Sequence, residues 1–374
     1  MTRVAPLTTV ERDLINMTSS SPVTDLLSQS AAYSTDKGAA YLGDSRDLLD
    51  DLPSNSIDLV VTSPPFELAH QKEYGDDWDN EDKEYQAWFL EFAEEIKRVL
   101  CEHGSFVIEI GGAFNSGTPS RSTYQFELLT KLTSEDVGFK LAQDFYWHNP
   151  AKLPTPAEWA NRRRIRVSDA VTHIWWLAPN ISANSATDPD EQPVPEADNR
   201  RVLTEYSQSQ QNLMEKGEYN AGERPSGHNI SEEGFFTDSG GAIPDNHISA
   251  TNTGSQTHYD KMCSRAGLDK HPARFPDEIP EFFVKFLTPN PPYDDWNRGY
   301  LDRPVVLDIF GGSNITGKVA EELGRYWLAF EKDEEYLEAS EVRFLSPMQV
   351  ERKFNDTQHG LDDFTNCGES EPEP

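Results

Sequence analysis

Cysteine and positive charge are both scarce in this chain. Three cysteines, Cys101, Cys263 and Cys367, are spread over 374 residues. With no CxxC pair and no Cys/His cluster, neither a zinc module nor a disulfide framework is expected. Long apolar runs are missing too: nothing approaches the ~20 residues of a membrane-spanning helix. The opening residues 1–30 carry no signal-peptide pattern. These absences predict a cytoplasmic protein with no metal and no membrane partner. Lysine and arginine number 33 against 65 aspartates and glutamates, for a formal net charge of −32.

The acid is spread along the whole chain, and the mean hydropathy is −0.68. Two readings compete. One is a disordered acidic partner protein. The other is a protein built for very high salt. With 36% of residues hydrophobic and core strands still recognisable, the second is favoured. At molar salt the Debye length is about 3 Å, so a carboxylate-rich surface would hardly repel a polyanion.

What is present starts at Asp58-Leu59-Val60-Val61-Thr62-Ser63-Pro64-Pro65-Phe66. The apolar run from Ile57 to Val61 reads as a short buried strand. Pro64 and Pro65 have fixed φ and no N–H, so the strand must end before them. A Ser-Pro-Pro-aromatic turn is thereby held at a strand's carboxyl end, where open α/β sheets bind ligands. Read alone, the turn is equally an ordinary loop. Residues 84–100 predict a helix whose stripe of Tyr85, Trp88, Phe89, Phe92, Ile96 and Leu100 is core. Ser105 to Gly112 reads as a buried strand with one charge inside it, Glu109. A carboxylate placed there needs a partner.

A second motif lies at residues 304–331. Val305 to Phe310 reads as a buried parallel strand, Gly311-Gly312-Ser313-Asn314 as a turn without bulk, and Trp327 to Phe330 as the next strand. Glu331 follows the glycines by about 20 positions, the spacing that reaches a ribose hydroxyl in Rossmann-like units. Gly312 to Lys318 also fits GxxxxGK, but Val319 stands where a phosphate loop needs Ser or Thr for magnesium.

Elsewhere, Tyr41 to Gly43 reads as a strand, and Asp44 as the N-cap of a helix over 45–51. Glu67 to Asp82 looks like a lid. A helix is expected over 123–132, and strands over 140–147 and 171–177, with Trp175 and Trp176 on opposite faces. Arg162, Arg163, Arg164 and Arg166 form the one dense basic cluster. Such a run is usually a solvated face, yet in so acidic a chain phosphates are its natural partner. Residues 180–261 turn to Ser, Asn, Asp, Gly and Pro, either a linker or a module with long loops. Lys270 to Pro276 precedes a helix over 277–287, with His271 read as a packing residue rather than a ligand. Residues beyond 346 lose periodicity and end in an acidic tail.

Ser63-Pro64-Pro65-Phe66 and the Asp308-Ile309-Phe310-Gly311-Gly312-Ser313 loop with Thr316 together resemble the S-adenosylmethionine-dependent amino-methyltransferases of DNA, the N4-cytosine/N6-adenine family. Asn314 stands where that family has glycine, and Asn tolerates left-handed φ. The Ser-Pro-Pro form implies methylation of the N4 amine of cytosine in double-stranded DNA, with N6 of adenine as the alternative and a non-catalytic DNA-binding protein as a further one. The resemblance implies that Ser63 and the Pro64 carbonyl accept the amine N–H bonds, Pro65 stiffens the turn, and Phe66 stacks on a flipped base. It places Glu109 near the pocket. It assigns the cofactor to Asp44, Phe275, Asp308, Phe310, Gly311, Gly312, Ser313, Thr316 and Glu331. DNA phosphates would fall to Arg162, Arg163, Arg164 and Arg166. Cytosine-C5 chemistry is excluded, since no cysteine sits in a Pro-Cys turn.

The implied fold is a class I, Rossmann-like α/β sheet of seven mostly parallel strands, with helices on both faces. The motif order implies circular permutation: a lead-in over 1–40, a catalytic half over 41–179, a target-recognition region over 180–265, a cofactor half over 266–345 and a tail over 346–374. A cognate restriction endonuclease is an expected partner.

Overall fold

The apolar run before the two prolines, Ile57–Thr62, is a strand at the middle of the main sheet with all six residues buried. Helices on both sheet faces explain why it carries no polar alternation. The computed structural model describes residues 21–66, 82–115, 117–182, 195–216, 222–223, 229–230, 238–252, 257–274, 276–293, 296 and 300–355. Its strands are β1 (Tyr33–Ser34), β2 (Gly38–Leu42), β3 (Ile57–Thr62), β4 (Leu100–Ile110), β5 (Lys140–His148), β6 (Val171–Ala178), β7 (Gly222–Glu223), β8 (Asn229–Ile230), β9 (His247–Ser249), β10 (Val305–Asp308) and β11 (Tyr326–Glu331). Its α-helices are α1 (Ser45–Asp51), α2 (Asp82–Val99), α3 (Tyr124–Leu132), α4 (Gln208–Lys216), α5 (His258–Ala266), α6 (Glu278–Leu287), α7 (Ile315–Glu322), α8 (Glu334–Glu341) and α9 (Pro347–Val350).

Nine strands form one mixed sheet in the order β1-β2-β11-β10-β3-β4-β6-β5-β9. From β2 to β4 the strands are mutually parallel. β6 runs against both β4 and β5, and β9 is parallel to β5. The carboxyl ends of β2, β11, β10, β3, β4 and β5 therefore share one edge. β10 and β11, late in the chain, lie between β2 and β3.

The sheet exceeds the seven strands expected. The two additions, β1 and β9, sit at its outer edges with two and three residues, too short to show periodicity. β9 comes from the polar segment 180–261. Two apolar cores flank the sheet, with Trp175 in one and Trp176 in the other. A third core joins Tyr259, Met262, Cys263 and Ala266 of α5 to Ala339, Val342, Val350 and Phe354. Val350 and Phe354 therefore anchor the segment 346–354, whose other side chains are exposed; residues 356–374, and 67–81 of the expected lid, lie outside the described residues. No helix among the described residues is long and apolar enough to cross a membrane.

At the opposite edge Asp58, Cys101 and His103 meet, with their donor atoms within 4.8 Å of one another. Sequence spacing showed no such cluster, because β3 and β4 supply its two halves. Its atoms are engaged within the protein. His103 Nε2 lies 2.8 Å from Asp58 Oδ1, Val305 N donates to Asp58 Oδ2 at 2.8 Å, and the Cys101 thiol donates to Asn55 O. Burial pushes the Asp58 carboxyl above its ordinary pKa, and His103 pulls it back. Asp58→Ala should therefore destabilise the protein by about 1–3 kcal/mol, since His103 and the Val305 N–H lose their shared acceptor. Denaturant unfolding at fixed salt measures this; an unchanged midpoint would show that water replaces the carboxylate at no cost.

Candidate active site at the carboxyl edge of the sheet

The glycine turn after β10 is built around a carboxylate. Asp308 is 1% exposed. Its Oδ1 accepts from Thr62 Oγ1 at 2.7 Å and Phe310 N at 3.1 Å, and its Oδ2 from Thr316 Oγ1 at 2.8 Å. Asp308 and Thr316 thus brace the turn. Gly312 has φ 48° and Asn314 φ 52°, both left-handed, as the Asn-for-Gly exchange required. The Asn314 side chain caps α7 by accepting from Gly317 N. Ser313 is buried, and Arg343 donates to both its carbonyl and its hydroxyl. The His271 imidazole stands against Gly312 and edge-on to Tyr336, a packing position.

Glu331 ends β11 beside this turn. Its Oε2 accepts from Gly312 N at 2.7 Å and its Oε1 from Asp333 N at 2.9 Å. Burial pushes its carboxyl above the usual range. Phe310 packs on Trp88 and Phe92 at ring distances of 5.6 and 5.3 Å. Asp44 caps α1 through Arg46 N, and its carboxylate also receives the Arg46 guanidinium. That bond holds its pKa below the usual range. Phe275 lies outside the described residues. The turn with its side-chain-free glycines, the acid at the next strand tip and the aromatic Phe310 fit an adenosine-bearing cofactor laid across β10 and β11.

Across from this turn, Ser63 follows β3 and Glu109 lies on β4. Ser63 Oγ donates to Glu109 Oε2 at 2.5 Å. Glu109 is buried, and among the described residues its Oε1 has no hydrogen-bond partner. Burial pushes its pKa up to about 7, while Ser63 and the charge of Lys152 pull it down. The Phe66 ring lies on the backbone of Gly111, where an added Cβ would come within 2.6 Å of it. Tyr124 fixes that backbone by donating to the Gly111 carbonyl. Pro64 is buried and Pro65 half-buried. Ser63, Phe66, Glu109 and Gly111 thus converge at the carboxyl ends of β3 and β4, and the Thr62–Asp308 bond ties them to the glycine turn.

The arginine cluster is smaller than its sequence suggests. Arg162 and Arg163 are exposed and share Glu158, and Arg164 is exposed. Arg166 is only 18% exposed and pairs with Asp169. Sequence reasoning missed Arg121, which stands against Gly112 and pairs with Asp169, and also Tyr124, Lys152 and Arg343. They are isolated polar residues on separate elements, and only the fold brings them to the site.

A family model described as DNA methylase, N6_N4_Mtase, matches residues 57–342. The type II methyltransferase M.PvuII of Proteus hauseri is 44% identical over 327 residues, 87% of this chain and 89% of that protein. M.BglII of Bacillus subtilis, another type II methyltransferase, is 25% identical over 301 residues, 80% of this chain and 66% of that protein. Among solved structures, PvuII DNA methyltransferase (cytosine-N4-specific) superposes with a TM-score of 0.65 at 38% identity, covering 89% of this chain and 97% of that one.

The raised Glu109 pKa makes stability depend on pH. The folded protein keeps this proton between about 4.5 and 7, where the unfolded chain has released it. The associated stability is therefore present below the unfolded value and is lost as pH rises to about 7. Glu109→Gln removes this slope. Without DNA or cofactor, the variant should gain on the parent between pH 5 and 8 by up to about 3 kcal/mol. Denaturant unfolding at both pH values tests it, and a difference that stays constant with pH would refute the assigned titration.

Proposed function

The chain belongs to the N6/N4 family of DNA methylases, and from that premise we propose that it methylates the N4 amine of a cytosine turned out of duplex DNA. The enzyme depends on S-adenosylmethionine. The observation that carries the specificity is the Ser63–Glu109 contact in the pocket. Serine stands where adenine-specific members of the family carry aspartate. The 44% identity to M.PvuII supports the same reading, because the matching PvuII structure is described as cytosine-N4-specific.

S-adenosylmethionine supplies an electrophilic methyl on a sulfonium. Gly311 and Gly312 would let it approach the backbone, Phe310 would line its base, and Glu331 would accept from the ribose. Asp308, Ser313 and Thr316 would shape the turn from within. Asp44 would face the adenine end, and Phe275 the methionine end.

The target amine is a weak nucleophile, because its lone pair is delocalised into the ring. Ser63 Oγ donates to Glu109, which leaves its lone pairs to accept one amine N–H. The Pro64 carbonyl takes the other, and Pro65 fixes the turn. Phe66, backed by Gly111, offers its open face to the base. As the amine takes up the methyl that the cofactor would supply, positive charge would grow on nitrogen. Ser63, the Pro64 carbonyl and Glu109 stabilise that charge. The surplus amine proton then leaves through Ser63 toward Glu109. No covalent enzyme–base bond is required.

The chain order supports the permuted arrangement: catalytic half 41–179, recognition region 180–265, cofactor half 266–345. Arg162, Arg163 and Arg164 would grip phosphates, and Arg166 would support them from beneath. The net charge of −32 supports work at high salt. The relatives' designation as type II methyltransferases supports a role beside a cognate endonuclease.

Two substitutions separate the two halves of the site. Ser63→Ala should lower turnover roughly 10²-fold, with cofactor affinity unchanged. Glu331→Ala should weaken S-adenosylmethionine binding by roughly 1.5–3 kcal/mol. Single-turnover methylation and calorimetric titration at high salt measure these. Digests of treated DNA should contain N4-methylcytosine. N6-methyladenine in its place would transfer the reading to the adenine branch, and tight Mg-ATP binding without S-adenosylmethionine binding would end it.

A further inference from the structure

The β5–β6 connection carries apolar side chains that the reaction scheme leaves unused. It spans residues 149–170 and stands on the carboxyl edge, because β5 ends there and β6 begins there. Three large apolar side chains stand out from it: Leu153 is 78% exposed, Ile165 62% and Val167 85%. Single exposed apolar residues are ordinary. Here three share one loop with exposed Arg162, Arg163 and Arg164.

The loop is braced. Ile165 N and Arg166 N both donate to Trp159 O, at 2.9 and 3.3 Å, and Asp169 N donates to Thr155 O at 3.1 Å. The Arg163 guanidinium lies 5.1 Å from the centre of the Trp159 ring. Arg166 is drawn inward: it donates to Pro119 O at 2.8 Å and Asp169 Oδ2 at 3.1 Å, and it covers the Phe114 ring at 5.2 Å. With 166 pinned inward, its neighbours 165 and 167 are turned out. The loop meets the strand-end site through Asp169: Arg121 donates to Asp169 Oδ1 at 3.4 Å, and its guanidinium stands against Gly112, next to the Phe66–Gly111 contact.

We propose that Ile165 and Val167 form an apolar wedge that enters the duplex at the target and fills the gap left by the flipped cytosine. The inference rests on the methyltransferase reading and deepens it. Flipping exposes the faces of the neighbouring bases, and apolar side chains entering base steps cover such faces. β-Branched side chains on a braced loop lose little freedom on entry. The adjoining arginines match the phosphates on either side, and that charge match selects duplex DNA as the occupant.

The test compares two duplexes carrying the site that methylation mapping identifies. One is fully paired; the other has an abasic position opposite the target cytosine, so that flipping costs less. For the double variant Ile165→Ala/Val167→Ala, kcat/KM should fall roughly tenfold or more on the paired duplex and recover to near the parent value on the abasic one. Ile165→Val alone should keep most of the activity on both. Arg162→Ala/Arg163→Ala should instead lose similarly on both, because the phosphates are unchanged. An equal loss on both duplexes for the apolar double variant, or no loss on either, overturns the wedge. If the parent enzyme methylates neither duplex, the methyltransferase reading falls and the wedge falls with it.

Discussion

One buried carboxylate holds the two halves of the site together. Asp308 receives Thr62 from the end of β3, the Phe310 N–H of the glycine turn and the Thr316 hydroxyl of α7. Thr62 and Asp308 are far apart in the chain, yet adjacent strands bring them side by side. Ser63 is the residue after Thr62. Wherever Asp308 sets the turn, it also sets the serine. Such a network demands full satisfaction, because an unpaired buried carboxylate costs far more than an apolar residue in its place. It also explains why the pocket and the turn lie on the same sheet edge although different parts of the sequence encode them.

Three of the buried carboxylates, all on the main sheet, differ in how far the protein satisfies them. Asp308 has three donors. Asp58 has the Val305 N–H and His103. Glu109 has Ser63, with its second oxygen unpartnered among the described residues. The first two are therefore structural, since every oxygen is engaged in joining elements. Glu109 keeps capacity for another proton or donor, beside Ser63. A pKa pushed up to about 7 suits a group that passes a proton near neutrality. The number of donors, more than the residue type, separates the acid that can act from the acids that hold the fold.

Much of this was legible in the sequence because it is written in continuous runs. β3, β10 and β11 are apolar on both faces and end at prolines, glycines or an acid. The α2 stripe has clean helical spacing, and the Trp175-Trp176 pair splits across the sheet as alternation requires. Asn314 takes the left-handed φ that its place in the turn demands. Other parts were not legible. β1 and β9 have two and three residues, below any period. α5 hides its apolar face among polar neighbours in a segment of polar composition, so its burial follows only from α8 and α9. Arg343 and Tyr124 hold backbone carbonyls, which leaves no signature in residue type. Arg166 looked like its neighbours in the basic run, but Asp169 and Phe114, which draw it inward, act through the folded loop.

The same loop bears on how so acidic a protein meets DNA. Spread evenly, a charge of −32 would oppose a polyanion at every approach. In molar salt that field is screened within a few ångströms, and the phosphate contacts that depend on counterion release weaken by the same screening. What salt does not weaken is apolar contact; excluded salts strengthen it. The proposed DNA-binding edge, a few arginines with outward Ile165 and Val167, would suit high salt better than a broad basic face. Arg162 and Arg163 already share Glu158, so their net charge is modest even before DNA arrives. The electrostatic part of recognition would thus be kept small and local. On that proposal the larger part would fall to shape, through the braced loop and the Phe66 ring on Gly111.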